Sequence, residues 1–247
     1  MGVGRAPYGC ATSAMRGREY RLSSFLPMGA IVAVMLALAA STGLADAGLE
    51  TALLREADGL HPEALHAAVA SWERLSAQGD APRPVLSVID YALPSTTRRL
   101  WVFDLVSRRV LFHELVAHGR NTGDDRAAFF SNEEGSLMSS LGAFVTGASY
   151  VGRNGYSVVL CGTEPRVNDN AEARGIVLHG APYVSDEVAR ALGRLGRSFG
   201  CPAVRLEVAR ALIVAIKDGS VLYAWFPATG ASAASGASGA GFSGSSR

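Results

Sequence analysis

Lysine is almost missing from this 247-residue chain: of 23 Lys and Arg residues, only Lys217 is lysine. Charge of either sign is scarce too, at 18% of residues with a formal net charge of +1. That balance excludes the broad basic footprint of a nucleic-acid binder. Three cysteines are too few for a disulfide-built scaffold. No internal repeat is present, and no apolar run beyond the first forty-odd residues approaches the roughly 20 residues that cross a bilayer. What is left is one domain of roughly 180 residues, enough for a real hydrophobic core, set between two ends of different character.

The N-terminal end reads as an export signal. Arg16, Arg18 and Arg21 precede a nearly unbroken apolar stretch, Phe25 to Ala40, and Ala45-Asp46-Ala47 offers an A-x-A-like cleavage site before Gly48. Residues 1–47 are therefore assigned to a signal peptide, with Met15 as an alternative start and a retained N-terminal anchor as the alternative outcome. The expected location is the periplasm or cell envelope. Residues 228–247 are nearly all Gly, Ala and Ser, a composition that buries too little apolar surface to offset ordering entropy; a flexible tail is expected. With Cys10 in the signal region, Cys161 and Cys201 remain. Two cysteines in an exported chain read as one disulfide, unless Cys201 is a reactive thiol.

Between these ends, local pattern predicts an N-terminal helical segment (48–80) and a catalytic domain (81–227), mainly β with short helices. Leu65, Val69, Trp72 and Leu75 fall at helical spacing, and Pro62 suits a first turn after His61. Strands are expected at 85–91, 100–105, 110–117, 157–161, 175–179 and 221–226. Residues 119–150, rich in Gly, Ser and Asn, read as a long functional loop. Ser185 caps one helix, with Asp186 and Glu187 in its first turn. A second helix is expected from Pro202 to about Ile216, with Val204, Val208, Leu212 and Ile216 on one face.

That second helix would put Cys201 at its N-cap, where amide groups and the helix dipole favour a thiolate. Gly196, Ser198 and Gly200 make the approach a tight turn of small residues, and the N–H groups of Gly200 and Cys201 are natural oxyanion donors. His179 ends an apolar strand and is followed by Gly180. A histidine beside a cysteine is what thiol acyl transfer needs. Its orienting acceptor would be a carbonyl near Gly180 or the Ser198 hydroxyl.

His179-Gly180 followed by Ser198-Phe199-Gly200-Cys201 resembles the His…Ser/Thr-x-Gly-Cys signature of L,D-transpeptidase catalytic domains. The longer string Gly193 to Val204 resembles a branch described as murein L,D-transpeptidase catalytic domains. Upstream pieces extend the likeness over about residues 83–226: Val116-Ala117-His118-Gly119-Arg120, Phe130-Ser131-Asn132, Ser139-Ser140-Leu141-Gly142 and Asn168-Asp169-Asn170-Ala171. Phe199 stands where the better-known branch has His, and Pro202-Ala203 also departs from it. The resemblance implies a β-sandwich fold and a two-step acyl transfer on peptidoglycan peptide stems. Cys201 would be the nucleophile and His179 the proton carrier, no cofactor or metal would be needed, and the product would be a 3-3 cross-link. Arg forks suit a substrate with several carboxylates. Arg120, Arg174 and Arg197 are the candidates, with His118 and Gly180 as further pocket residues.

Three other readings stand beside this one. Water as acceptor makes the protein an L,D-carboxypeptidase. The same Cys and His could serve a cysteine peptidase or amidase, although in such hydrolases the cysteine usually comes first. A wall-binding domain without activity is the third. His113-Glu114…His118 is not a zinc-protease motif, because its histidines are five apart on a strand and point to opposite faces.

Overall fold

The structure, a computed structural model, describes residues 48–227 and 232–233. The signal-peptide expectation lies outside them, as does the tail expectation apart from Ser232–Ala233, which pair as a short parallel strand with Phe129–Phe130. Two helices open the described chain: α1 (48–56) and α2 (Pro62–Ala77). His61 is the α2 N-cap and Pro62 takes the first helical position, where its missing N–H costs nothing. His61 donates its backbone N–H to buried Asp90 (3.2 Å), and its Nδ1 meets the same carboxylate at 2.6 Å.

Nine strands join in one hydrogen-bonded sheet of order β3-β2-β1-β10-β6-β7-β8-β9-β4. They are β1 (Val85–Asp90), β2 (Leu100–Asp104), β3 (Arg109–Glu114), β4 (Val116–Ala117), β6 (Gly142–Gly152), β7 (Gly155–Gly162), β8 (Val177–Gly180), β9 (Ala203–Val204) and β10 (Val221–Trp225); β5 (Phe129–Phe130) and β11 (Ser232–Ala233) form the separate pair. The mainly β class with short helices is as expected.

Every residue of β1 is buried, and the alternation of side chains explains why. Val85 and Ile89 join Val102, Phe144 and Leu222 against helix α4 (Leu206–Ile216), which contributes Leu212, Ile213 and Ile216. Leu86 and Val88 face the other way, with Trp101, Phe103 and Val221, against Leu53, Leu65, Val69 and Leu75 of α1 and α2. A strand covered by helices on both faces has no polar face to show. A third cluster, including Leu115, Ala117, Ala181, Leu195 and Ala203, closes the far edge around helix α3 (Asp186–Leu192). Ser185 caps α3 by accepting from the Val188 N–H (3.1 Å), and Gly193 ends it at φ 65°.

Three expectations change. The stretch 119–150 is not all loop, because β6 runs for eleven residues between β7 and β10. The expected strand over 110–117 breaks at Leu115 into β3 and β4, which lie at opposite ends of the sheet order. The helix does not begin at Pro202. Ala203 and Val204 are instead a fully buried strand, paired in parallel with His179 and Gly180 and antiparallel with Ala117 and Val116. Pairing on both sides outweighs the helical signal of proline, which is equally at home where a strand starts. α4 therefore starts at Leu206, with Arg205 as an N-cap whose side chain makes no capping bond.

Candidate active site

With the helix start displaced, Cys201 is not a helix cap, and the dipole argument for its acidity lapses. A turn tied from several sides holds it instead. The Ser198 hydroxyl donates to the Cys201 carbonyl (2.6 Å) and accepts from the Gly200 N–H (3.1 Å). Ser139 then grips the turn from the neighbouring loop: its hydroxyl donates to the Gly200 carbonyl (3.0 Å) and accepts from the Gly119 N–H (3.0 Å). The backbones of Gly119 and Arg120 run alongside, with Arg120 N–H donating to Ser198 O (2.8 Å) and Ser198 N–H to His118 O (3.0 Å). Gly200 has φ 128°, and a Cβ there would stand 2.8 Å from the Met138 carbonyl and 3.3 Å from Arg174 Nη2. Both the angle and the space require glycine.

This arrangement corrects two sequence expectations. The Gly200 amide is committed to Ser198, so of the two expected oxyanion donors only the Cys201 amide is left outside the turn's own bonding. The Ser198 hydroxyl serves the turn and does not orient the histidine. His179 is oriented by its neighbour: Nδ1 lies 2.9 Å from the Gly180 carbonyl. Donation from Nδ1 leaves Nε2 as the basic nitrogen. His179 lies on β8 opposite Ala203 of β9, two residues beyond Cys201. The two residues are thus on adjacent parallel elements. The Cys201 thiol itself donates to the Gly175 carbonyl (3.7 Å).

Burial governs the electrostatics. It pushes the Cys201 thiol above its ordinary value, opposed by the Val177 N–H, by the charge of Arg174 and by the residue's own amide. Burial also holds the His179 imidazole below 6.5, against the Gly180 bond that favours its charged form. At neutral pH the pair is therefore a neutral thiol and a neutral imidazole. Three tyrosines that the sequence did not single out feel the charge of Cys201: Tyr91, Tyr150 and Tyr183, the last pushed to about 12, in each case first by burial. They come from β6 and two separate loops, and no local pattern marks them.

The remaining predicted residues divide sharply. His118 is 1% exposed; its Nδ1 faces Arg99 Nη2 at 2.8 Å and its Nε2 the Gly123 carbonyl at 3.4 Å. Burial first, then Arg99, lowers it to about 4. Both ring nitrogens are used internally, so the expectation that His118 lines a substrate pocket is not met. Arg197 is tied to the Gly123 carbonyl (3.0 Å) and Asp124 (3.2 Å). Arg174 bridges Ser131, Ser136, Met138 and Ser140. Arg174 thus has both terminal nitrogens committed, whereas Arg197 commits Nη1. Arg120 is exposed and keeps its side chain available. Gly180 packs β8 onto α4, where a Cβ would stand 2.7 Å from Ala209 Cβ.

Cys201 is a free thiol, so the Cys161–Cys201 disulfide is not formed. His113 stacks on Trp101 (centroids 4.5 Å apart) and bonds the Arg98 carbonyl, while Glu114 pairs with Arg205 (2.8 Å). These two and His118 do not converge on one point, and no group of three or more potential metal ligands occurs among the described residues.

A family model described as L,D-transpeptidase catalytic domain matches residues 56–225. A search of curated proteins finds no matching sequence. Among solved structures, an L,D-transpeptidase from Mycobacterium smegmatis is similar at 13% identity, with 59% of this chain and 69% of that one covered and a TM-score of 0.35. The LD transpeptidase LdtMt1 in complex with imipenem is similar at 13% identity, with coverage of 57% and 67% and a TM-score of 0.34.

Proposed function

Because the chain belongs to the L,D-transpeptidase catalytic domain family, we propose that it is an exported cysteine acyltransferase that joins peptidoglycan tetrapeptide stems in 3-3 cross-links. The observation that carries this reading is the parallel pairing of β8 with β9, which sets His179 beside the segment that Cys201 begins. With Nδ1 held by Gly180, Nε2 is left as the base.

The chemistry follows from two neutral partners. As the sulfur attacks the carbonyl between the L-centre of diaminopimelate and the terminal D-alanine, the thiol proton passes to His179 Nε2. The Cys201 amide donates to the developing oxyanion. Collapse breaks the C–N bond, His179 returns the proton to the departing D-alanine amine, and a thioester remains. The side-chain amine of a second stem then attacks the thioester. His179 takes that proton, and the thiol is restored when the sulfur leaves. Attack by water in place of the amine would give an L,D-carboxypeptidase by the same steps. No organic cofactor enters the scheme. The partners are the two peptide stems, and the envelope location follows from the N-terminal pattern.

Purified mature protein and Cys201→Ala, each incubated with disaccharide-tetrapeptide, provide the test. A Cys201-dependent dimer lacking one D-alanine, read by mass spectrometry, supports transpeptidation. A lone tripeptide product replaces it with carboxypeptidation. Absence of any Cys201-dependent product with the thiol kept reduced overturns the reading in favour of a wall-binding domain.

A further inference from the structure

Arg174 was expected to meet a substrate carboxylate, and its surroundings give it another task. Its Nη1 donates to the Ser131 carbonyl (2.7 Å) and the Ser140 hydroxyl (2.5 Å); its Nη2 donates to the Met138 carbonyl (2.5 Å) and the Ser136 hydroxyl (3.2 Å). All four acceptors are neutral. No carboxylate forms an ion pair with this half-buried cation among the described residues. Taking a charge out of water without an opposite charge is costly, and a simple tether between loops needs no charge.

What lies against the guanidinium is the nucleophile turn. A Cβ on Gly200 would stand 3.3 Å from Arg174 Nη2, and the Met138 carbonyl that the arginine holds is the same one that closes on Gly200 from below. The other titratable groups coupled to Cys201 are Tyr91, Tyr150 and Tyr183, phenols kept neutral by burial, and His179 on the adjoining strand is neutral too. The charge of Arg174 favours the thiolate at Cys201, and its Nη2 lies against the Gly200 backbone next to that residue.

We propose that Arg174 is the electrostatic positioning residue of the nucleophile: a guanidinium braced by four neutral oxygens, whose first anion is the thiolate formed at Cys201. Because the brace fixes the cation before reaction, no reorganisation is needed when the charge appears. The inference rests on Cys201 being the nucleophile, but it concerns the thiol alone and is measured without substrate.

The experiment is the rate of Cys201 alkylation by iodoacetamide from pH 6 to 10. It uses the mature chain as wild type, Arg174→Lys, Arg174→Gln and Ser136→Asp, with folding checked by thermal melts. An opposite charge within about 4–6 Å favours ionisation by one unit or more, and alkylation follows the thiolate fraction. Arg174→Gln is therefore expected to alkylate about tenfold more slowly at pH 7, while Arg174→Lys stays near wild type. Ser136→Asp keeps the arginine and its other three acceptors but hands it a permanent carboxylate, so it should slow alkylation as well. A folded Arg174→Gln with the wild-type titration curve overturns the proposal. If Arg174→Gln does not fold, a wild-type curve for Ser136→Asp overturns it instead. A shifted curve in a protein that makes no Cys201-dependent product leaves this inference standing and removes the acyltransferase reading.

Discussion

His118-Gly119 and His179-Gly180 are the same dipeptide at the ends of β4 and β8, and these two strands flank β9 on either side. Locally the two look alike: each histidine closes an apolar run and precedes a glycine. In the fold they have opposite fates. Arg99, just before β2, reaches His118 and occupies Nδ1, and Gly123 faces Nε2, so that ring is a buried cross-brace. His179 satisfies only Nδ1, and does so on its own next residue. A histidine becomes available for proton transfer when the fold orients it with one nitrogen and leaves the other. The cation nearby is what decides between the two. Arg99 spends its charge on His118, whereas Arg174 sits under the turn that carries Cys201.

Replacing each histidine in turn is the sharpest way to test this contrast. His179→Ala is expected to lower kcat/KM by about a thousandfold, within the range of a lost general acid–base, with an unchanged melting temperature. His118→Ala is expected to leave turnover per folded molecule intact. It should cost about 2 kcal/mol of stability, because Arg99 loses a buried partner; chemical denaturation measures it. If His118→Ala abolishes turnover without loss of stability, the comparison is broken.

Acid should separate the two histidines as well. In the unfolded chain His118 takes a proton near its ordinary 6.5, whereas folded it stays neutral until about 4. Between those values the unfolded state binds more protons, so stability is complete above pH 6.5 and falls as pH drops toward 4. The full loss is about 3 kcal/mol. Denaturant titrations at pH 7 and pH 4.5 should show this slope in wild type and a reduced one in His118→Gln. For His179 the readout is rate. Its lowered pKa places the acid limb of kcat/KM below pH 6.5, and a limb above 6.5 would mean that another group is the base.

The glycines extend the contrast at smaller amplitude. A Cβ at Gly119 would stand 2.5 Å from the Leu137 carbonyl and 3.0 Å from Gly200 Cα. Gly119→Ala should therefore displace the Cys201 turn, costing roughly 1–3 kcal/mol of stability and lowering kcat. The smallest effect is expected at the surface. Arg120→Ala removes an exposed cation, worth about 1 kcal/mol at such a site, and should raise KM about fivefold with kcat unchanged. No change in KM would remove Arg120 from the substrate contacts.

Much of the fold was legible where the chain's own period decides. The six buried residues of β1, the α2 stripe and the Ser185 cap depend on neighbours within one turn or one pleat. β6 was hidden because Gly142, Gly147 and Gly152 interrupt its alternation, and its stability comes from β7 and β10 on either side. The start of α4 was misplaced for a related reason: Pro202-Ala203-Val204 reads equally well as a helix opening or a strand, and β4 and β8 decide. That one displacement also removed the helix-dipole account of Cys201.

By itself, then, the sequence determined the residue types and their order: the helix and strand patterns of the described region, a strand ending in His179-Gly180, and Ser198-x-Gly200 as the frame before Cys201. These follow from composition and from chemistry carried within a few residues. Only the tertiary structure decided which histidine keeps a nitrogen free, that Arg174 is braced by neutral oxygens beside the Cys201 turn, and that this turn leads into a strand. Each of those depends on partners distant in sequence, as with Arg99 for His118, 19 residues away, and Ser139 for Gly200, 61 residues away. A buried polar group must take the partners the fold brings to it.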